Sequence, residues 1–360
     1  MSEWLPALER RPAPSSIMRA AAPLLAALAI TLTAAVAFAA IDLSPWSSLY
    51  TFFISPIASA YGLGEWLLKA TPLALCALGL SVAFRANVWN IGAEGQLTAG
   101  AIAGGGVALY LAPHLGAAGL PATLLAGVVG GMSWAAVPAW LRTRFHTSEI
   151  LTSLMLVYVS QLLLAWLMHG HWQDPAGFNY PQSRAFDDAL ILPLLADGQR
   201  ATIAVWMTML LALATWVLVR WSHAGYRMGV GGEAPAAARY AGFSESRSVW
   251  LGMLISGGAA GLAGIAEVAG PIGRLQTSIS PGYGFAAIIV AFVGRLHPAG
   301  VVLAALLMSL LYLGGEAAQL ELGLPAAVTG ILQGLLLFYL LAADVFTHYR
   351  LRFARAGLPA

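Results

Sequence analysis

Residues Arg85 to Gly104 read Arg-Ala-Asn-Val-Trp-Asn-Ile-Gly-Ala-Glu-Gly-Gln-Leu-Thr-Ala-Gly-Ala-Ile-Ala-Gly and lie between two apolar runs. The stretch holds Asn90, Glu94 and Gln96, set apart by Gly92 and Gly95. Polar side chains inside a bilayer are costly and face a bundle interior or a cavity. Glycines there let backbones approach closely, or let a helix break where protein or water takes up the freed backbone groups. Two readings fit: an interrupted membrane helix beside a solute path, and a helix–loop–helix turn at the membrane surface.

Working outward, 59% of the 360 residues are hydrophobic and only 9% are charged. A soluble chain of this size carries about a quarter charged residues. The composition therefore points to a polytopic membrane protein, all-α, with helices built from Ala, Leu, Gly and Val. Cys76 is the single cysteine, which excludes an internal disulfide and argues against a cysteine metal site. Met1–Arg19 is a polar arm with Pro6, Pro12 and Pro14 and with Arg10, Arg11 and Arg19. The uncharged run Ala20–Ile41 is too long for a signal-peptide core and reads as a retained first span.

Further spans are expected over Ala70–Phe84, twice within Gly95–Leu141 with a break near Pro113–Gly116, and over Ile150–Gln173, Ala201–Val219 and Ser248–Ala266. Leu275–Gly294 contains Ser280-Pro281-Gly282-Tyr283-Gly284, punctuation for a loop dipping into the membrane before a short helix. Leu296–Gly315 and Leu322–Ala343 complete the set. Leu43–Gly64 is uncharged too, but it contains Pro45 and Pro56.

Charge placement decides whether that segment crosses. If it does not, ten spans put both termini on one side. Of the 18 basic residues, 14 then share that side: Arg10, Arg11, Arg19, Arg85, Arg142, Arg144, four in 220–247, Arg295 and three in the tail. Lys69, Arg184, Arg200 and Arg274 fall opposite. If it crosses, the bias is lost. The positive-inside rule selects the first arrangement, with both termini cytoplasmic and 43–64 lying on or partly in the outer membrane face.

Chemistry-bearing patterns are few. There is no P-loop, and Lys69, the sole lysine, has no glycine-rich stretch ahead of it, so this chain does not hydrolyse ATP by that route. The seven histidines are scattered without metal spacing. Ser256-Gly257-Gly258 inside a span reads as helix packing rather than a nucleophile site. The loop 220–247 holds Glu233-Ala-Pro-Ala236-Ala237-Ala238-Arg239-Tyr240-Ala-Gly242, a short helix with proline early and glycine at its close. A helix that short is marginal alone and is expected to dock, either on a partner or on the membrane surface.

Asn90-Ile-Gly92-Ala-Glu94-Gly95-Gln96 resembles a signature of permease subunits from bacterial ABC importers, the group that includes branched-chain amino acid, ribose-type sugar and nucleoside permeases. Thr147-Ser148-Glu149-Ile150, Glu233–Gly242, and Gly282–Phe285 with Val293–Pro298 resemble further stretches of that family in the same order. Thr71-Pro72 and Phe84–Asn87 make the chain similar to the longer permease of nucleoside-type systems. The family often has Asn at the position of Ser148 and an acidic residue at that of Ala286, departures that bear on solute choice. The resemblance implies a solute path involving Asn90, Gly92, Glu94, Gly95, Gln96 and Tyr283, with Glu94 either on the path or structural. It also implies a coupling helix of Glu233, Ala236, Ala237, Ala238, Arg239, Tyr240 and Gly242 received by an ATPase.

The expectation is thus an all-α permease with about ten transmembrane helices, one interrupted, and re-entrant segments. Residues 1–19 form a cytoplasmic arm, 20–343 the membrane domain with the 220–247 coupling loop, and 344–360 a basic cytoplasmic tail. No cofactor or metal is expected in this chain, ATP and Mg being bound by ABC ATPase partners. The other expected partners are a second, different permease, an extracytoplasmic solute-binding lipoprotein and the lipid of a bacterial inner membrane, with no nucleic acid. An ATP-independent transporter would carry titratable groups mid-span, where this chain has only Glu94. An intramembrane enzyme would need a nucleophile–base or metal spacing that is not seen.

Overall fold

The computed structural model describes residues 4–11 and 15–355. In chain order it holds strand β1 (Trp4–Arg10), then helices α1 (Ser16–Ala40), α2 (Pro45–Phe53), α3 (Ala60–Arg85), α4 (Ala93–Tyr110), α5 (Gly119–Phe145) and α6 (Glu149–Met168). There follow α7 (Ala204–Trp221), α8 (His223–Glu233), α9 (Pro235–Tyr240), α10 (Glu245–Glu267), α11 (Tyr283–Val293), α12 (Pro298–Leu322), α13 (Ala327–His348) and strand β2 (Tyr349–Arg355). Two units result, Ile57–Leu310 and the two ends of the chain, Met1–Pro56 with Leu311–Ala360. Parts of the expected arm and tail, among them Pro12 and Pro14, lie outside the described residues.

In the unit made by the chain ends, α1 buries Ala22, Ala26, Ile30, Ala34 and Phe38, one side chain every four residues. That spacing lays a single stripe along a helix. It packs on α13, where Thr33 and Tyr339 share a 2.7 Å hydrogen bond. The rest of α1 is apolar but exposed, as at Leu24, Leu32 and Val36, which suits contact with lipid. Beyond α13, Tyr-Arg-Leu-Arg-Phe alternates apolar and basic residues, the period of a strand. β2 pairs antiparallel with β1, and Arg350 Nη2 lies 2.9 Å from Glu9 Oε2. The ribbon was not expected from composition, and it fixes residues 4–10 and 349–355 at one end of this unit.

The larger unit is built around α3, α4, α5 and α10. Small residues set their spacing. Gly261 of α10 leaves no room for a Cβ between Gly127 and Gly131 of α5, and Gly100 of α4 abuts the same Gly261. Backbones that close exchange dispersion contacts in place of the side-chain interlock of a soluble core.

The boundaries of two expected elements shift. Leu43–Gly64 is not one segment: α2 has nine residues, about 14 Å and too short to cross, while 60–64 are the first turns of α3. α3 runs through Glu65 and Lys69, which hydropathy alone treats as loop, because Ser59 caps it by accepting from Gly62 N at 2.9 Å. Among the described residues, seven helices have the length and apolarity to cross a bilayer. α1 and α4 add two more. The tenth crossing is composite: α11 is a half-helix of 11 residues, about 16 Å, and the irregular segment 276–282 leads into it. The fold is all-α apart from the terminal ribbon, with about ten crossings.

Candidate functional site

The end of the larger unit where α3 and α5 finish, near Arg85 and Arg142, is called the near end here; the opposite end carries the polar loop 174–203. After α3 the chain turns at Asn87, whose φ is +55°, and re-enters the bundle unwound through residues 88–92 before α4 begins. Backbone without helical bonds at membrane depth must be satisfied inside the protein. Asn90 does this. Its Nδ2 donates to Gln96 Oε1 and to Ser256 Oγ, both at 2.7 Å, and its Oδ1 accepts from Gln96 Nε2 at 2.9 Å and Gly92 N at 3.1 Å. Asn90 and Gln96 are fully enclosed, so the pair forms an amide clasp locked to α10. A Cβ at Gly92 would come within 2.7 Å of the Ser153 carbonyl of α6, and one at Gly95 within 2.8 Å of Val157 Cα.

The second break meets the first. Leu275 N donates to Ser183 Oγ at 2.9 Å, tying the start of the dipping segment to the far loop. At the other end of α11, Leu296 O accepts from Arg85 Nε at 3.1 Å, and Phe292 stacks on Phe84 at 5.2 Å. α11 therefore starts about 16 Å above the near end, close to the middle of a ~30 Å hydrocarbon layer. There Gly284 N donates to Glu94 Oε2 at 2.6 Å, while Ser280 Oγ accepts from Tyr283 N at 2.8 Å. A Cβ on Gly284 would lie 2.7 Å from the Ala93 carbonyl carbon. The carboxyl of Glu94 thus occupies the amide-rich N-terminus of the half-helix, where negative charge is favoured.

All six residues expected on the path are enclosed in this structure, Tyr283 included. They hold the two breaks together rather than presenting side chains to open space. Trp89 is more exposed and extends the Phe84–Phe292 stack at the near end, at 5.4 and 5.9 Å from those rings.

Thr147–Ile150 has a local explanation. Ser148 caps α6 by accepting from Leu151 N at 3.5 Å. Glu149 accepts from Trp89 N at 3.2 Å and pairs with Arg142 at the end of α5, and Arg142 Nη2 lies 3.7 Å from Glu245 of α10. Ser and Asn cap helices equally well. The departure at Ser148 therefore preserves a cap on an outward-facing turn.

In the 220–247 loop, Ser222 caps α8 by accepting from Gly225 N at 2.9 Å, and Gly232 brings α8 against the end of α3, with Asn87 N 3.2 Å from where its Cβ would be. Glu233 closes α8 instead of opening the next helix. Pro235 then starts the six-residue α9, and Gly242 follows its end with φ +75°. Ala236, Ala237, Arg239 and Tyr240 are exposed, whereas Ala238 turns inward and is buried.

Sequence reasoning missed a charged cluster toward the far end. Arg200 Nη1 lies 3.4 Å from Glu65 Oε2, and Glu267 is in electrostatic reach of Lys69, Arg200 and Glu65. The available signal was the sole lysine, four residues after Glu65 on a helical spacing.

Two unwound segments meeting at mid-membrane, one of them opening a half-helix, are the build of a solute transporter. The chain belongs to the family described as branched-chain amino acid transport system / permease component, whose model matches residues 62–341. It is similar to a glucose ABC transporter permease protein of Haloferax volcanii, 37% identical over 351 residues, which cover 94% of this chain and 92% of that one. A guanosine ABC transporter permease protein of Bacillus subtilis is 29% identical over 322 residues, covering 88% of each chain. A nucleoside ABC transporter permease protein of Lactococcus lactis is 27% identical over 330 residues, covering 88% and 89%. This protein is accordingly a multi-pass membrane permease of an ABC importer, working with ATPase partners; it is a transport protein and not an enzyme.

Proposed function

We propose that this permease carries a neutral, hydroxyl-rich solute, a nucleoside first. The observation behind this is the Glu94–Gly284 contact. In transporters built from broken helices, a half-helix N-terminus is where an anionic solute group is received. Here the protein's own carboxyl group fills that position, so a carboxylated solute such as an amino acid finds no such cradle. A nucleoside or a sugar needs none. The simple sugar is the second reading, favoured by the 37% identical relative described as a glucose permease.

In this reading a second, different permease completes the membrane domain and an extracytoplasmic lipoprotein delivers solute. ATP and Mg are bound by the ATPase partners. The 14 basic residues on one side of the expected topology support a bacterial inner-membrane setting with both termini and 220–247 cytoplasmic. Ala236, Ala237, Arg239 and Tyr240 then offer the exposed face of a coupling helix, with Glu233, Ala238 and Gly242 shaping it. Asn90, Gly92, Glu94, Gly95, Gln96 and Tyr283 support the path from behind. The test is uptake of labelled guanosine by reconstituted transporter, with unlabelled guanosine, glucose and leucine as competitors. Guanosine competition without leucine competition supports the reading. Uptake of labelled leucine with no uptake of labelled guanosine or glucose overturns it.

A further inference from the structure

The dipping segment has an outward side unlike other exposed surfaces of the larger unit. Its apolar residues Leu275, Ile279 and Tyr283 turn inward and are buried, as are Gly284, Ala286 and Ala287 of α11. Thr277, Ser278 and Pro281 are exposed, and Phe285 follows one helical turn after Pro281, 39% exposed. Elsewhere the exposed faces of the spans are mainly apolar, as with Trp206, Leu210 and Leu213 on α7 and Leu151, Met155 and Leu162 on α6, where Gln161 is the polar exception. Those faces suit lipid. A run of hydroxyl side chains does not.

The backbone makes the case stronger. Gln276 bridges antiparallel to Gln182 of the far loop, and beyond that bridge, among the described residues, no backbone carbonyl takes the amide hydrogens of Ser278, Ile279 or Ser280. The segment runs inward from the Leu275–Ser183 bond at the far loop to the start of α11, about 16 Å above the near end by the length of that helix. Irregular backbone at membrane depth occurs only where protein buries it or water reaches it. Here it is exposed, with polar side chains beside it.

We propose that Thr277, Ser278 and Pro281, with Phe285 below them, line the solute passage on this chain. The Thr277 and Ser278 hydroxyls supply donors and acceptors for the hydroxyl groups of the solute, and the Phe285 ring supplies an apolar wall against which a sugar or base face can lie. This deepens the permease reading and rests on it. The Asn90–Gln96 clasp and Glu94 hold this segment in position from the inner side, without touching the solute.

The experiment uses the assembled transporter, with its ATPase and partner permease, in lipid nanodiscs that leave both ends open to water. Single cysteines replace Thr277, Ser278, Leu210 or Ala287 in a Cys76→Ser background, and a cationic methanethiosulfonate is the probe. Thiols react as thiolates, which form in water and not in lipid or packed protein, so Thr277→Cys and Ser278→Cys should react about tenfold or more faster than Leu210→Cys and Ala287→Cys. Saturating guanosine or glucose, whichever the transporter accumulates in sealed proteoliposomes, should slow the reaction severalfold, and the same modification of transporter in proteoliposomes should stop uptake. Equal rates at Thr277→Cys, Ser278→Cys and Leu210→Cys overturn the proposal, whether lipid or the partner permease seals the segment. Fast reaction with no solute protection and no loss of uptake overturns it too. Uptake by unmodified transporter is read separately: accumulation of neither guanosine nor glucose counts against the solute reading, while the labelling rates still judge whether the segment is wet.

Discussion

Glu94 and Gly284, 190 residues apart, meet through a 2.6 Å hydrogen bond from the Gly284 amide to the Glu94 carboxyl. One sits at the start of α4, just after the first unwound segment, and the other at the start of α11, just after the second. The contact joins two breaks that enter the bundle from opposite ends.

Removing the acceptor should therefore destabilise the fold before it alters selectivity. Glu94→Leu leaves the Gly284 amide buried and unpaired, a loss of about 1–3 kcal/mol. Glu94→Gln keeps an oxygen acceptor and should lose less. Gly284→Ala forces a methyl against the backbone of Ala93 and Glu94 and should be the worst of the three. Thermal unfolding in detergent gives the ranking; a Glu94→Leu protein as stable as wild type would contradict the capping role.

The amide clasp predicts coupling. Asn90 and Gln96 exchange two hydrogen bonds and are enclosed, so Asn90→Ala and Gln96→Ala should be strongly non-additive. A double-mutant cycle on unfolding free energy should return about 0.5–3 kcal/mol of interaction. Additive effects would mean that the Asn90–Gln96 bonds contribute nothing and that Asn90 acts through Ser256 and Gly92.

The break in the helix was legible from Gly92, Gly95 and the polar residues around them, and the second from Ser280–Gly284. Their meeting was not. Asn90 finds Ser256 across 166 residues and Glu94 finds Gly284 across 190, and no local pattern carries a pairing at that distance. Only the fold shows that Asn90 and Gln96 bond each other and Ser256, and that Glu94 bonds Gly284. The start of α3 was hidden for the opposite reason. Glu65 and Lys69 lower local hydropathy, yet within the fold Glu65 pairs with Arg200 and Lys69 lies close to Glu267. Ala238 could not be distinguished from Ala236 and Ala237 by type, because only packing decides which alanine of a six-residue helix turns inward.

Ser148 separates capping from selectivity. Ser148→Asn should leave stability and the order of competing solutes unchanged, since either side chain accepts from an amide of the first turn. Ser148→Ala should cost about 1 kcal/mol of stability and still leave that order unchanged. A changed solute order in Ser148→Asn would return the position to the path.

Orientation is best read at Tyr240, which is 97% exposed and, unlike Ser222, caps no helix. In a Cys76→Ser background, Tyr240→Cys should resist an impermeant maleimide in intact cells and react once the membrane is opened. Labelling in intact cells would place the 220–247 loop outside and reverse the topology.

The loop's role is tested at two neighbouring alanines that the structure treats differently. Ala237 is exposed on α9, so Ala237→Asp leaves the fold alone but puts a charge where a partner's groove would have to desolvate it. Ala238 is buried, so Ala238→Asp should lower stability of the permease itself. If α9 is the coupling helix, Ala237→Asp should reach the membrane at normal level, co-purify poorly with the ATPase and lose solute-stimulated ATP hydrolysis. Ala189→Asp, an exposed change in the far loop, should keep all three. Reduced recovery with Ala238→Asp alone would reflect misfolding, which a melting curve reveals. Full ATPase recovery and stimulation with Ala237→Asp would leave α9 a surface helix and move the coupling contact to another part of the near end.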